Sequence, residues 1–198
     1  MYIFLKLIID KLASLITIIL LMPLLTLISI LILIFDGRPL LFKQVRLGKD
    51  SKPFELIKFR TMKTASNLSD NERITKVGNF LRKTSLDELP ELFNILKGEM
   101  SFIGPRPLLP EYLEVYTARE ILRHTVLPGL SGLSQVSGRN RLTWDKKLEL
   151  DALYAEKISL TLDIKILIKT FFVIFDTSKV SESPNNTMTN LLEHRRKN

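Results

Sequence analysis

The chain has no cysteine and only two histidines, His124 and His194. Disulfides and thiolate metal sites are therefore excluded, and two histidines do not suit a histidine-based zinc site. The absence of disulfides fits a reducing compartment. Charge is also missing over one long stretch: the 24 residues from Leu12 to Phe35 carry none. Within residues 1–36, Lys6 and Lys11 cancel Asp10 and Asp36, so the whole net charge of +8 falls on the remainder. A basic globular part calls for a polyanionic partner, whether nucleic acid, anionic lipid or a phosphorylated substrate. The 198 residues, 45% of them hydrophobic, suffice for one domain with a core plus an attachment.

The uncharged run would measure about 36 Å as a straight helix, enough to cross a hydrocarbon core of about 30 Å. No small-residue cleavage site follows it, so it does not read as a cleaved signal peptide. Pro23 stands near its centre, where it removes a backbone donor. Cations flank both ends, with Lys6 and Lys11 before it and Arg38, Lys43, Arg46 and Lys49 after it. Positive flanks prefer the cytoplasmic side. Two arrangements satisfy this pattern: a proline-kinked spanning helix, or a helix-break-helix that enters and returns.

Beyond residue 36, Leu40 to Arg46 and Phe54 to Arg60 read as a β-hairpin around the turn cluster "GKDSKP". Residues 64–73 form a polar, unpatterned loop with the composition of a lid. Residues 85–97 read as a helix, with Ser85 and Glu88 as a capping box and Gly98 as its stop. Pro90 either falls in its first turn or delays its regular start. Amphipathic helices are expected over 111–123 and 144–158, a glycine-rich connection over 127–140, and an apolar helix over 162–175. Residues 176–198 read as a polar, disordered tail.

The adjacent Asp87 and Glu88 set the functional question. Acidic residues in a helix's first turn commonly do no more than stabilise it through the dipole. Here, however, cations surround the pair: Arg82 just before, Arg106 between Pro105 and Pro107 just after, and Lys58, Arg60 and Arg139 further off. Arginine forks match phosphate oxygens, and adjacent carboxylates can share Mg²⁺ with substrate phosphates. A carboxylate can also attack phosphorus directly. Acid pair, metal and arginines together describe a diphosphate-handling site.

The stretch "RKTSLDELPELFNILKGEMSFIGPRPLL", residues 82–109, resembles the signature of the bacterial sugar transferases known as monotopic phosphoglycosyl transferases. The hydrophobic run, "LFKQVRLGKDSKPFELIKFRTM" and "LPGLSGLSQVSGRN" resemble the same family in the same order, over about residues 1–175. The resemblance implies transfer of a phospho-sugar from a nucleoside diphosphate sugar, usually a UDP-sugar, to polyprenyl (undecaprenyl) phosphate, releasing UMP. It implies Mg²⁺ dependence and a covalent intermediate on Asp87, with Glu88 completing the dyad and both as metal ligands. Lys58, Arg60, Arg82, Arg106 and Arg139 are then expected to bind phosphate.

The implied fold is α+β and mostly helical. A proline-broken re-entrant membrane helix over 1–36, broken at Pro23, precedes a catalytic domain over 37–175. That domain would carry a small β-hairpin and amphipathic interfacial helices around the catalytic helix, and the tail covers 176–198. The family commonly has serine before that proline, where this chain has Met22. The expected location is the cytoplasmic face of the bacterial inner membrane, with membrane lipids as partners and no nucleic acid. Two other readings start from the same residues: a membrane-anchored nucleic-acid-binding module, motivated by the charge, and a non-catalytic scaffold for glycan assembly, against which the intact dyad argues.

Overall fold

A computed structural model describes residues 2–63, 69–138, 141–175 and 190–197. Its first element is one long helix, α1 (Tyr2–Phe35), with Pro23 inside it. The expected break is therefore a proline within a helix that continues past it. Proline's fixed φ is compatible with helical backbone, and its cost is the bond it cannot donate. Hydroxyls bond back along the same helix: Thr26 donates to the Met22 carbonyl at 2.9 Å and Ser29 to that of Leu25 at 2.8 Å.

α1 buries one stripe along its length: Lys6, Asp10, Ser14, Ile18, Leu25, Ile28 and Ile32. Steps of four, three and seven keep these residues on one helical face. Elsewhere along its surface it exposes large apolar side chains such as Phe4, Leu20, Ile34 and Phe35. Burying the four isoleucine and leucine side chains at 18, 25, 28 and 32 contributes about 1.5–3 kcal/mol each. Rather than a separate attachment, α1 forms one wall of the core.

Strands β1 (Leu41–Leu47) and β2 (Pro53–Phe59) pair antiparallel from Leu41↔Phe59 to Leu47↔Pro53, within one residue of the expected hairpin. Helices α2 (Asp70–Arg73) and α3 (Lys76–Thr84) follow. Part of the loop expected over 64–73 lies outside the described residues; Ser69 and Glu72 make a capping box that starts α2. A Cβ on Gly78 of α3 would lie 2.0 Å from the Thr61 carbonyl oxygen, so only glycine lets α3 sit against the end of the hairpin.

After α3 comes a 3₁₀ turn (Leu86–Glu88), then helix α4 (Glu91–Lys97). The expected capping box at Ser85 is absent. Ser85 instead ends α3 in the left-handed region, at φ 56°, and Pro90 is the N-cap of α4. Leu89 is already helical, at φ −54° and ψ −36°, but Pro90 has no N–H to donate, and the regular helix begins only at Glu91.

Strands β3 (Ser101–Ile103) and β4 (Gly129–Ser131) pair in parallel. A Cβ on Gly129 would lie 2.1 Å from the Gly104 nitrogen, so the glycines of this region serve backbone approach. The helix expected over 111–123 is two 3₁₀ segments, Pro110–Val115 and Glu120–Thr125. Thr117 and Glu120 interrupt it by exchanging side-chain and backbone bonds. Helices α5 (Leu133–Ser137), α6 (Trp144–Lys157) and α7 (Leu160–Phe175) complete the body.

The tail is a correction in part. Residues Leu191–Lys197 form helix α8, with Leu191 fully buried against Tyr112 and Leu148, and Arg195 paired with Asp145 and Glu120. The rest of the expected tail, 176–189 and Asn198, lies outside the described residues.

Candidate active site

The left-handed Ser85 turns the chain sharply between α3 and the 3₁₀ turn. A non-glycine residue in that region costs about 1–3 kcal/mol. The turn presents Asp87 and Glu88 to the hairpin. On the opposing side, Asn94, fully buried in α4, fixes β2: its Oδ1 accepts from the Ile57 amide at 3.2 Å, and its Nδ2 donates to the Glu55 carbonyl at 2.7 Å. Lys58, which follows Ile57 on β2, lies on the opposite side of the strand from it by alternation yet reaches the acidic cluster.

Lys58 Nζ lies 2.6 Å from Glu88 Oε1 and 3.0 Å from Glu91 Oε1. Arg106 Nη2 donates to the same Glu88 oxygen at 2.8 Å. Lys58 and both glutamates are largely buried, while the Arg106 side chain is 46% exposed. Burial pushes the Glu88 carboxyl up, but Arg106 and Lys58 outweigh it and hold it at about 2. Glu91 goes the other way: burial, reinforced by Glu88 and only partly opposed by Lys58, pushes it up to about 7. Burial and then the Glu88 charge raise Asp87, against the pull of Lys58 and Arg82. Within the dyad, Asp87 is thus the carboxylate whose charge is less compensated.

The structure gathers Asp87, Glu88, Lys58 and Arg106, with Arg82 exposed on the last turn of α3 and felt by Asp87. It does not bring Arg60 to them. Arg60 is buried, and its Nη2 donates to the Asp36 and Gly37 carbonyls at 2.6 and 2.8 Å, closing the end of α1. Arg139 lies outside the described residues. Pro23 is on the exposed side of α1, away from the carboxylates' contacts. His124 is buried with Nδ1 3.1 Å from the Gly48 carbonyl, and burial and Arg123 push it down to about 4. It therefore stays neutral near pH 7.

Two contributors escape the sequence reading. Glu91 is one; its spacing from Glu88, with Asn94 three residues further, is the i, i+3 signal of one helical face turned to β2. Arg46 is the other, pushed down by burial and by the nearby Arg106 charge, with Nη2 donating to Gln44 at 2.7 Å. It adds positive charge beside Arg106.

Among the described residues, no three acidic or histidine side chains converge as a metal cage. A metal here would rest on Asp87 and Glu88 and on substrate phosphates, the ligand balance Mg²⁺ accepts. The donor set fits that ion in type. Chemically, the arrangement offers an oxygen nucleophile beside cations that suit phosphate oxygens.

A buried carboxylate cluster faced by cations, with the long apolar helix α1 packed against α4, is what this geometry defines. The chain belongs to the bacterial sugar transferase family, which matches residues 1–177. It is 50% identical over 139 residues to the uncharacterized sugar transferase EpsL of Bacillus subtilis, covering 68% of this chain and 69% of that one. It is 40% identical over 178 residues to the UDP-glucose:undecaprenyl-phosphate glucose-1-phosphate transferase of Klebsiella pneumoniae, covering 82% of this chain but 38% of the relative. With the UDP-galactose-lipid carrier transferase of Erwinia amylovora it shares 37% identity over 197 residues, again 86% of this chain and 40% of the relative. The chain thus spans about two fifths of these two larger relatives.

Proposed function

We propose that the chain moves a sugar phosphate from a nucleoside diphosphate sugar, a UDP-sugar by analogy with its relatives' names, to polyprenyl phosphate. The observation that carries the reading is the unequal treatment of the dyad: Glu88 is neutralised by Lys58 and Arg106, while Asp87 is left with a raised, more basic carboxyl.

An Asp87 carboxylate oxygen attacks the sugar-bearing phosphorus of the donor. The bond from that phosphorus to the bridging oxygen breaks, and UMP leaves with the electron pair. A phosphate oxygen of the polyprenyl acceptor then attacks the same phosphorus, restores the carboxylate and yields polyprenyl diphosphate sugar. Glu88 anchors Arg106, whose exposed side chain serves the donor phosphates together with Arg82. Mg²⁺, held by the dyad and the diphosphate, would offset negative charge at the phosphoryl oxygens.

Membrane re-entry belongs to the same proposal. Near the start of α1, Lys6 pairs with Asp163 of α7 at 2.7 Å. Just after its end, Asp36 accepts from Thr75 at 2.8 Å. A helix tied at both ends to one body cannot place those ends on opposite sides of a bilayer, which supports entry and return on the cytoplasmic face of the inner membrane. The net charge of +8 suits an anionic donor, a lipid phosphate and an anionic leaflet alike.

The test is UMP release from UDP-glucose and UDP-galactose with Mg²⁺ and undecaprenyl phosphate. Release by the native protein, lost by at least about a thousandfold in Asp87→Asn, is expected for a covalent nucleophile. Equal release by the two proteins would remove Asp87 from that role.

A further inference from the structure

The mechanism leaves one costly feature unused: a fully buried ion pair between Arg123 and Asp151. Their side chains are 2% and 4% exposed, with Arg123 Nη2 2.8 Å from Asp151 Oδ2. Burying two charges is expensive, and well-packed apolar residues are often as stabilising in such a place. The pair is not even fully satisfied, since Arg123 Nε is buried with no hydrogen-bond partner. Core stability alone is a poor reason for it.

Its remaining bonds point elsewhere. Arg123 Nη2 also donates to the main-chain carbonyl of Arg106 at 2.6 Å. Arg123 Nη1 donates to the Tyr116 hydroxyl at 3.2 Å, and Ser134 Oγ donates to Asp151 Oδ1 at 2.7 Å. On either side of Arg106 the turn is pinned again: the Gly129 amide donates to the Pro105 carbonyl at 2.9 Å and the Leu47 amide to that of Leu108 at 3.0 Å. Three successive anchors hold the backbone, and only the one on Arg106 itself uses charge.

We infer that Arg123, fixed by Asp151 and Ser134, is a positioning residue for Arg106. It clamps the Arg106 carbonyl so that the half-exposed guanidinium faces Glu88 and the donor phosphates. A charged donor makes a stronger bond to that carbonyl than a neutral one would. Its own partner, Asp151, sits on α6, so the helix behind the site sets the aim of the arginine in front. The inference rests on the reading of Arg106 as a phosphate-binding residue.

A double-mutant cycle separates positioning from general support. Arg123→Lys, Arg106→Ala and the double variant are assayed for UMP release from UDP-glucose or UDP-galactose, with thermal melting alongside. Small misplacement of a catalytic group costs up to about a hundredfold, so Arg123→Lys is expected to lower kcat/KM by about 10- to 100-fold with Arg106 present. In the Arg106→Ala background the same change is expected to shift it by less than about twofold, because coupled residues are non-additive. Equal losses in both backgrounds, or no loss in either, would overturn the inference. An Arg106→Ala single variant with native activity would instead overturn the phosphate-binding reading beneath it. If Arg123→Lys does not fold, Ser134→Ala, which removes one bond to Asp151, is read through the same cycle.

Discussion

Asp87, Glu88 and Glu91 share their cations unequally, and the sharing decides what each can do. Glu88 takes both Lys58 and Arg106 on one oxygen, so it is ionised at any working pH and acts as an anchor. Glu91 shares only Lys58 and is pushed up to about 7. Between its ordinary value of 4.5 and about 7, the unfolded chain ionises this group while the folded chain keeps it protonated. The native state then binds more protons, so this group's contribution to stability falls as pH rises through that window and is flat above it. Glu91→Gln is therefore expected to raise the melting temperature at pH 8, by about 2–4 °C for each kcal/mol relieved, and to change it little at pH 4. A variant that melts lower than the native protein at pH 8 would contradict the assignment. The dyad was legible in the sequence because its two members are adjacent and its arginines are close by. Glu91 was not, because its environment depends on a lysine from a distant strand. Arg60 misled for a related reason: alternation would place it with Lys58, but β2 ends at Phe59 and the chain turns Arg60 to the end of α1.

Elements were legible where periodicity or turn chemistry was strong. The hairpin, α6 and α7 lie close to their expected spans. The α1 stripe was harder to read, since an almost uniformly apolar helix gives little sign of which face is covered. Its one sign was the spacing of Lys6, Asp10 and Ser14 by fours, and Asp10 indeed accepts from Ser101 of β3 at 2.6 Å inside the body. The second half of the stripe packs with Phe59 and Leu81, joining α1 to β2 and α3. Ile32 is fully buried there. Ile32→Ala is expected to destabilise the protein by about 2–5 kcal/mol, measured by thermal melting in detergent or nanodiscs. An unchanged melting curve would mean that α1 is only an anchor. The 3₁₀ segments in place of a helix over 111–123 arise from Pro110 and from side chains competing for backbone bonds, effects that an apolar pattern does not register.

At the scale of the molecule, one apolar helix face, the exposed residues of α7 such as Phe171 and Phe172, and a basic body are the features on which the proposed membrane association rests. The absence of cysteine makes its topology easy to test. Ile3→Cys, near the start of α1, and Lys49→Cys, in the hairpin turn, give single labels on exposed residues. Re-entry predicts that an impermeant thiol reagent reaches both from the cytoplasmic side of inverted vesicles; labelling from opposite sides would establish a spanning helix. The proposed transfer requires Asp87 to carry the phospho-sugar, and intact-protein and peptide mass spectrometry after incubation with a UDP-sugar and no acceptor reads that step directly. The predicted result is a sugar-phosphate adduct on the peptide containing Asp87, cleared by undecaprenyl phosphate and absent from Asp87→Asn. UMP release without any adduct, or an adduct that persists in Asp87→Asn, would contradict it.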